Sequence, residues 1–304
     1  MRDSFLVVCL NPTLQKTFRL DSLAPGQVNR VGSHRLDLAG KGVNTARILG
    51  QLGEDAVHLT QAGGRHLETF LRLAAEDRLT VRHVAGDIEI RHCYTLLDTG
   101  ARTTTEIVEP GSPASPGLEE AIEDEYRDLL GRAHTVIISG SKAPGFSDEL
   151  YPYMVNEARS RGLQVVLDIR GADLVNALPY GPNVLKINVN EFSSTFLDEP
   201  IPEETDPARM PPELTHRMRA VVAERGCRVV LTNGAKPVMY VEDGRIETIA
   251  PARVKPVNVI GSGDAVTAGL AAGLRRGLPL REAIELGLDC ARRNVVLEKP
   301  GTIG

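Results

Sequence analysis

The chain has 304 residues, 42% of them hydrophobic, which is enough to bury a full core near the upper size of a single domain. A formal net charge of −5 excludes a protein that coats nucleic acid or an acidic membrane surface, although a small anionic substrate needs only a local basic cluster. The four cysteines, Cys9, Cys93, Cys227 and Cys290, form no CxxC pair, which argues against structural zinc and a disulfide framework and fits a reduced, cytoplasmic protein.

In chain order, "FLVVCL" reads as a first strand; its apolar run is too short for a signal peptide and closes on Asn11-Pro12. No segment approaches the ~20 apolar residues that a membrane helix needs. From Asn11 to Leu38, apolar and polar residues alternate between turn signals, and Asp87 to Val108 does so more clearly around an expected hairpin at Asp98-Thr99-Gly100. These two regions, about 11–38 and 87–108, predict a small flap outside the main sheet. Between them a helix is expected from about Val43 to Leu52, stopped by Gly53. The apolar runs "TVIISG", "LQVVLDI", "NVLKINV" and "CRVVLTNG" then alternate with the helix-like "GLEEAIEDEYRDLLGRA", "DELYPYMVNEARSRG" and "PELTHRMRAVVAERG". Continuous apolar strands between amphipathic helices predict a doubly wound, mainly parallel α/β sheet with helices on both faces. The Pro/Glu-rich "LDEPIPEETDPARMPPE" is expected to be a mobile surface loop. Two final helices, Asp264 to Arg276 and Leu280 to Leu297, are separated by Gly277 and Pro279.

Three places could carry chemistry. In "NVIGSGDAVTAG", Gly261-Ser262-Gly263 and then Asp264 open a helix, whose first amides lack intrahelical partners and attract anions. Glycines let the backbone approach an oxyanion closely, yet Asp264 as an ordinary helix cap explains the same residues. "LAGKGVNTARILGQLG" puts Gly40-Lys41-Gly42 at a second helix mouth. It is not a GxxxxGK[ST] phosphate loop, because Arg35 stands at the required first glycine; the late GxGD lacks the GxGxxG spacing of a dinucleotide site. Two such mouths in one α/β chain point to transfer between two anionic ends. The third place is the carboxyl end of "LKINVNEF" with Glu191, beside Asp168 at the end of "VVLDIRG", where two carboxylates could share a hydrated Mg²⁺ with a phosphate. The seven histidines lack metal-ligand spacing.

These motifs, with "LNPTLQKT", "EPG" at Glu109 to Gly111, "SGSKAPG", "NVNE" and "TNGA" in order along nearly the whole chain, resemble the ribokinase-like (PfkB) carbohydrate kinases, and within them the sugar-phosphate branch that includes 1-phosphofructokinase and tagatose-6-phosphate kinase. The resemblance implies a single ribokinase-like kinase domain over residues 1–304 whose two β insertions form a lid. It implies ATP-dependent phosphoryl transfer to a primary hydroxyl of a ketohexose phosphate, most like conversion of fructose 1-phosphate to fructose 1,6-bisphosphate. Tagatose-6-phosphate or fructose-6-phosphate as substrate, or a sugar-phosphate-binding regulator on the kinase scaffold, are the alternatives. By resemblance Gly261, Ser262 and Gly263 form the anion hole and Asp264 is the base. Gln15, Gly40, Lys41, Asn44, Arg91 and Ser139 belong to the sugar-phosphate side. Lys186, Asn188, Thr232, Gly234 and Asn294 belong to the nucleotide side, with Glu191 and Asp168 organising Mg²⁺. A homodimer through the lid, with no nucleic-acid or membrane partner, is also implied. Four residues depart from the branch: Gln15 where an aspartate is usual, Ala39 for a glycine, Lys142-Ala143 in place of an apolar residue and often a proline, and Asn258 where many ribokinases carry aspartate.

Overall fold

The computed structural model describes residues 4–304, so the first three residues of the expected 1–304 domain lie outside the described residues. The amino-terminal part runs β1 (Ser4–Val8), β2 (Thr13–Leu20), β3 (His34–Ala39), α1 (Lys41–Gln51), β4 (Asp55–Ala62), α2 (Leu67–Glu76), β5 (Thr80–Ala85), β6 (Arg91–Asp98) and β7 (Thr103–Val108). The middle continues with α3 (Leu118–Leu130), β8 (Ala133–Ser139), α4 (Leu150–Ser160), β9 (Gln164–Asp168), α5 (Gly171–Ala177), β10 (Val184–Asn188) and α6 (Val189–Phe196). The last part comprises α7 (Pro212–Arg225), β11 (Arg228–Asn233), β12 (Lys236–Glu242), β13 (Arg245–Ile249), α8 (Ser262–Arg275) and α9 (Leu280–Val295).

The described strands form two sheets. The large one has the order β13-β12-β11-β10-β9-β8-β1-β4-β5, parallel from β11 to β5 and finished by the antiparallel β12 and β13. The small one has the order β3-β2-β6-β7, with β2 and β6 parallel. Both alternating regions therefore enter the small sheet, while the continuous apolar runs enter the large one. The division follows from patterning: a strand covered on both faces is apolar throughout, as in β8, where six of seven residues are buried.

Helix α3 illustrates how one face is buried. Leu118, Ile122, Tyr126, Leu129 and Leu130 recur at helical spacing and are buried, while Glu119 and Glu120 in its first turn favour the positive helix end. Tyr126 is fully buried and donates its hydroxyl proton to the Met154 carbonyl at 2.7 Å, so its ring joins the core without an unpaired polar atom. Helices α8 and α9 pack against the other face of the sheet, with Ala268, Ala272, Ala283 and Ile284 in that core.

Three differences from expectation have local causes. The β12–β13 hairpin turns at Asp243-Gly244, both with positive φ (48° and 73°), the Asp-Gly pairing that a tight two-residue turn favours. The Pro/Glu-rich loop is tied down rather than loose: Ile201 is buried and donates its amide to Ser193 Oγ, and Asn233 clasps both the Glu204 amide and the Thr205 carbonyl. Helix α1 begins at Lys41, with Gly40 (φ 102°) as its cap, so Lys41 lies inside the first turn instead of preceding it.

Candidate active site

Because β1, β8, β9, β10 and β11 are parallel, their carboxyl ends share one edge of the sheet. Ser139, Asp168 and Asn188 end β8, β9 and β10 there, and the amino ends of α1 and α8 reach the same edge.

Asp168 is the hub. It is fully buried; its Oδ1 accepts from Lys41 Nζ at 3.0 Å, and its Oδ2 accepts from Lys186 Nζ at 3.2 Å and from Thr267 Oγ1 at 2.7 Å. Burial alone would raise its pKa, but Lys186, Lys41 and the Thr267 hydroxyl hold the carboxyl well below the usual range. Both oxygens are thus taken by cations and a hydroxyl. Asp168, expected to help organise Mg²⁺, thus lies under two lysines and the Thr267 hydroxyl. Lys41 also reaches Glu191 Oε1 at 3.2 Å. Burial would push its ammonium down, yet Asp168, Glu191 and Asp264 together raise it above the ordinary lysine value, so it stays charged.

Asp264 stands in the first turn of α8. Gly261 caps that helix at φ 82°, and a Cβ there would meet the Gly301 nitrogen at 2.5 Å; glycine is therefore required on both conformational and steric grounds. Asp264 Oδ2 accepts from Asn44 Nδ2 at 2.8 Å. Burial raises its carboxyl to about 6, with Asp168 pushing the same way and Lys41, Asn44 and Lys186 holding it back. A buried acid poised near neutrality beside two lysines can take a proton at physiological pH. Lys186 also flanks the glycine mouth, since a Cβ on Gly263 would stand 3.1 Å from its Nζ.

Glu191 and Asn188 form a reciprocal capping box on α6: Glu191 N donates to Asn188 Oδ1 at 2.7 Å, and Asn188 N to Glu191 Oε2 at 3.4 Å. The box orients Glu191 toward Lys41. Among the described residues no group of three or more His, Cys, Asp or Glu side chains could hold a metal ion by itself.

The remaining expected residues are spread around this centre. Arg91, at the start of β6, donates to Thr13 Oγ1 at 3.0 Å and to the Glu109 carbonyl at 3.3 Å; Thr13 in turn lies against Gly40. Arg91 is thereby placed beside the α1 mouth. Ser139 is buried with an unpartnered Oγ. Gln15 turns into the small sheet, donating to Thr95 Oγ1 at 2.5 Å. Thr232 lies at the end of β11, and Gly234 (φ 56°) in the following turn against Glu204. Asn294, expected on the nucleotide side, is fully buried and donates to the Ile260 carbonyl at 3.1 Å, so it props the glycine turn from beneath. Lys142 points inward to Asp173 across the Tyr151 ring, and Asn258 spends both ends of its amide on the Glu298 carbonyl and the Ile260 amide.

Sequence reasoning missed two participants, Thr267 and Arg47. Thr267 follows Asp264 by three positions on one helix face, a spacing that could have flagged it. Arg47, which donates to Asn44 Oδ1 at 3.2 Å, had no motif to mark it.

Two helix mouths, two lysines and a near-neutral acid on one edge of a parallel sheet are the arrangement of an α/β phosphotransferase. Residues 7–304 match the pfkB family of carbohydrate kinases, and the chain belongs to that family. A curated relative, the 1-phosphofructokinase of Xanthomonas campestris pv. campestris, is 31% identical over 293 residues, covering 94% of this chain and 87% of the relative. The phosphofructokinase-2 of Escherichia coli, solved with substrates and products, superposes with a TM-score of 0.85 at 21% identity, covering 96% of this chain and 93% of that one. A possible 1-phosphofructokinase from Thermotoga maritima gives a TM-score of 0.83 at 21% identity, covering 98% and 94%. These likenesses extend across both sheets. Among the described residues no helix is long and apolar enough to cross a membrane.

Proposed function

We propose that this carbohydrate kinase transfers the γ-phosphoryl group of ATP to a primary hydroxyl of a ketohexose phosphate, most like a 1-phosphofructokinase making fructose 1,6-bisphosphate from fructose 1-phosphate. The observation that carries the reading is Asp264, buried in the first turn of α8 behind the Gly261 cap and held by Asn44, with Lys186 beside Gly263. Its Oδ2 is held by Asn44, which leaves Oδ1 for the acceptor hydroxyl. As the acceptor oxygen bonds to phosphorus and the bond to the β-bridging oxygen breaks, the hydroxyl proton passes to Asp264 and ADP carries away the bridging electron pair. The amides of Gly261 and Gly263, with Lys186, are offered to the negative charge on the transferring group, and the Ser262 amide, which donates to the Val259 carbonyl at 3.3 Å, joins them only if that turn bond yields. Phosphoryl transfer needs little from the protein beyond this positioning and charge stabilisation.

On the acceptor side, Arg91 offers a guanidinium suited to clamping the substrate's own phosphate, with Lys41 and Gly40 across the mouth and the buried, unpaired Ser139 Oγ behind them. Asn188, Thr232 and Gly234 border the donor, with Asn294 acting indirectly. Glu191, whose Oε2 is engaged only by a long 3.4 Å bond, would hold a Mg²⁺ bound with the nucleotide, and the ion would supply positive charge to its phosphates. Within one kinase domain the small sheet serves as the lid over the sugar. Half-exposed Ile107 and Val108 on β7 favour a second copy docking there, in a cytoplasmic enzyme.

A coupled ADP-release assay across sugars and sugar phosphates tests the reading. Turnover is expected only with phosphorylated ketohexoses, and fastest with fructose 1-phosphate. Preference for an unphosphorylated sugar would overturn it; tight binding of a sugar phosphate without ATP turnover would establish a regulator instead. Gln15, spent on Thr95, keeps fructose 6-phosphate and tagatose 6-phosphate in the panel.

A further inference from the structure

We propose that Arg47 is a positioning residue for the base: it orients the Asn44 amide so that its NH₂ group, not its oxygen, faces Asp264. The inference rests on the reading of Asp264 as base. Arg47 follows Asn44 by three positions on α1 and is 3% exposed. Its Nη1 donates to Asn44 Oδ1 at 3.2 Å and to the Pro300 and Gly301 carbonyls at 3.2 and 3.1 Å. Its Nη2 donates to the Leu38 carbonyl at 2.5 Å, and Nε and Nη2 reach Asp77 Oδ2 at 3.0 and 2.8 Å. A guanidinium fixed on so many sides cannot drift from Asn44.

The chemistry follows from donor and acceptor roles. The two ends of an asparagine amide are nearly equal in size, so neighbours decide which end points where. Arg47 has donors only and therefore selects Oδ1, which sends Nδ2 to Asp264 Oδ2 at 2.8 Å. A flipped amide would set oxygen against carboxylate and NH₂ against guanidinium. Gly301 closes the side of the amide, since a Cβ there would stand 2.2 Å from Asn44 Cγ, so the pocket admits the asparagine in one plane. The other charged or titratable groups facing Asp264 are Lys41 on α1, Asp168 on β9, Lys186 on β10 and the Cys9 thiol after β1, and none of them touches Arg47. Arg47 also holds the end of β3 and the segment after α9, which ties the base's orientation to the small sheet and the carboxyl-terminal residues.

The test is kcat against pH for the full-length enzyme and for Arg47→Gln, Arg47→Lys, Asn44→Ala and the doubles, with Lys299→Ala as control. Lys299 is the other cation on Asp77 but does not reach Asn44. Arg47→Gln is expected to lower kcat about tenfold or more and to move the acid limb up by about half a pH unit, with KM for ATP nearly unchanged. In the Asn44→Ala background the same change should add less than about twofold, because the residue it acts through is gone. Arg47→Lys should fall between, and Lys299→Ala should keep the wild-type profile. Multiplicative losses in the double variant, or a folded Arg47→Gln with wild-type kcat and acid limb, would overturn the proposal. If Arg47→Gln does not fold, the Arg47→Lys cycle with Asn44→Ala decides by the same criterion. An Asp264→Asn enzyme that kept its turnover would remove the base itself; inactive Asp264→Asn with multiplicative Arg47 and Asn44 losses would remove only the Arg47 role.

Discussion

Replacing Asp168 by asparagine separates two accounts of the site that predict opposite signs. In the structure Asp168 has no exposed surface and receives Lys41, Lys186 and Thr267. Asparagine keeps the shape and can still accept from Thr267, but it leaves two lysines facing a neutral group. Removing one partner of a buried ion pair costs about 3–5 kcal/mol. Unfolding a 304-residue chain carries about 0.6 kcal/mol/K of entropy at roughly 2.1 cal/mol/K per residue, so the melting point should fall by about 5–8 °C. The measurement is thermal unfolding in the presence of EDTA, by calorimetry or circular dichroism. The sign with pH is also fixed. A carboxyl held below its unfolded pKa contributes stability that is present above that value and lost as pH falls through the native one. The gap between wild type and variant should therefore be full at pH 7 and shrink toward acid. A residue whose task was to hold Mg²⁺ would instead crowd Asp264 and Glu191 with like charge in the metal-free protein. Its removal would raise the melting point in EDTA and abolish stabilisation by Mg²⁺. An unchanged or higher melting point for Asp168→Asn refutes the hub.

Two further outcomes follow from the same geometry. Asp264→Asn should lower kcat by about 10²–10⁴-fold, while raising stability at pH 7 by about 1–3 kcal/mol, roughly 2–5 °C in melting point. The stability gain follows because the folded carboxyl titrates near 6, above its unfolded value of 3.8, so wild-type stability falls as pH rises through that window and asparagine escapes the loss; a destabilised variant would contradict it. In the wild type the same group should set an acid limb of kcat/KM near pH 6, read from the ADP-release rate at low sugar phosphate. Arg91→Ala should raise KM for the sugar phosphate about tenfold or more and leave KM for ATP nearly unchanged; equal losses for both substrates would remove Arg91 from the acceptor side.

What the sequence made legible and what it hid divide along a physical line. Backbone demands were readable. Apolar runs without alternation marked the strands buried on both faces, alternating runs marked the small sheet, and Gly261 stands where φ is 82° and a Cβ would strike Gly301. The β12–β13 hairpin is carried by the Asp243-Gly244 turn rather than by apolar periodicity, since β13 alternates too weakly to mark itself. Pairing between distant side chains was not readable, because it depends on which rotamers meet after the sheet has formed. Asp168 ends its strand as expected, yet only the fold brings Lys41 from 127 positions away and Thr267 from 99 positions away onto its two oxygens. Asn44 likewise is expected on the sugar-phosphate side, yet only the fold brings Asp264, 220 residues later, to its NH₂ group. A motif assigns each residue one partner outside the protein, whereas a buried polar atom must first find a partner inside it. The polar atoms that the fold leaves over are therefore the ones still owed a partner: Ser139 Oγ, buried and unpaired, and the side of Asp264 that Asn44 does not reach.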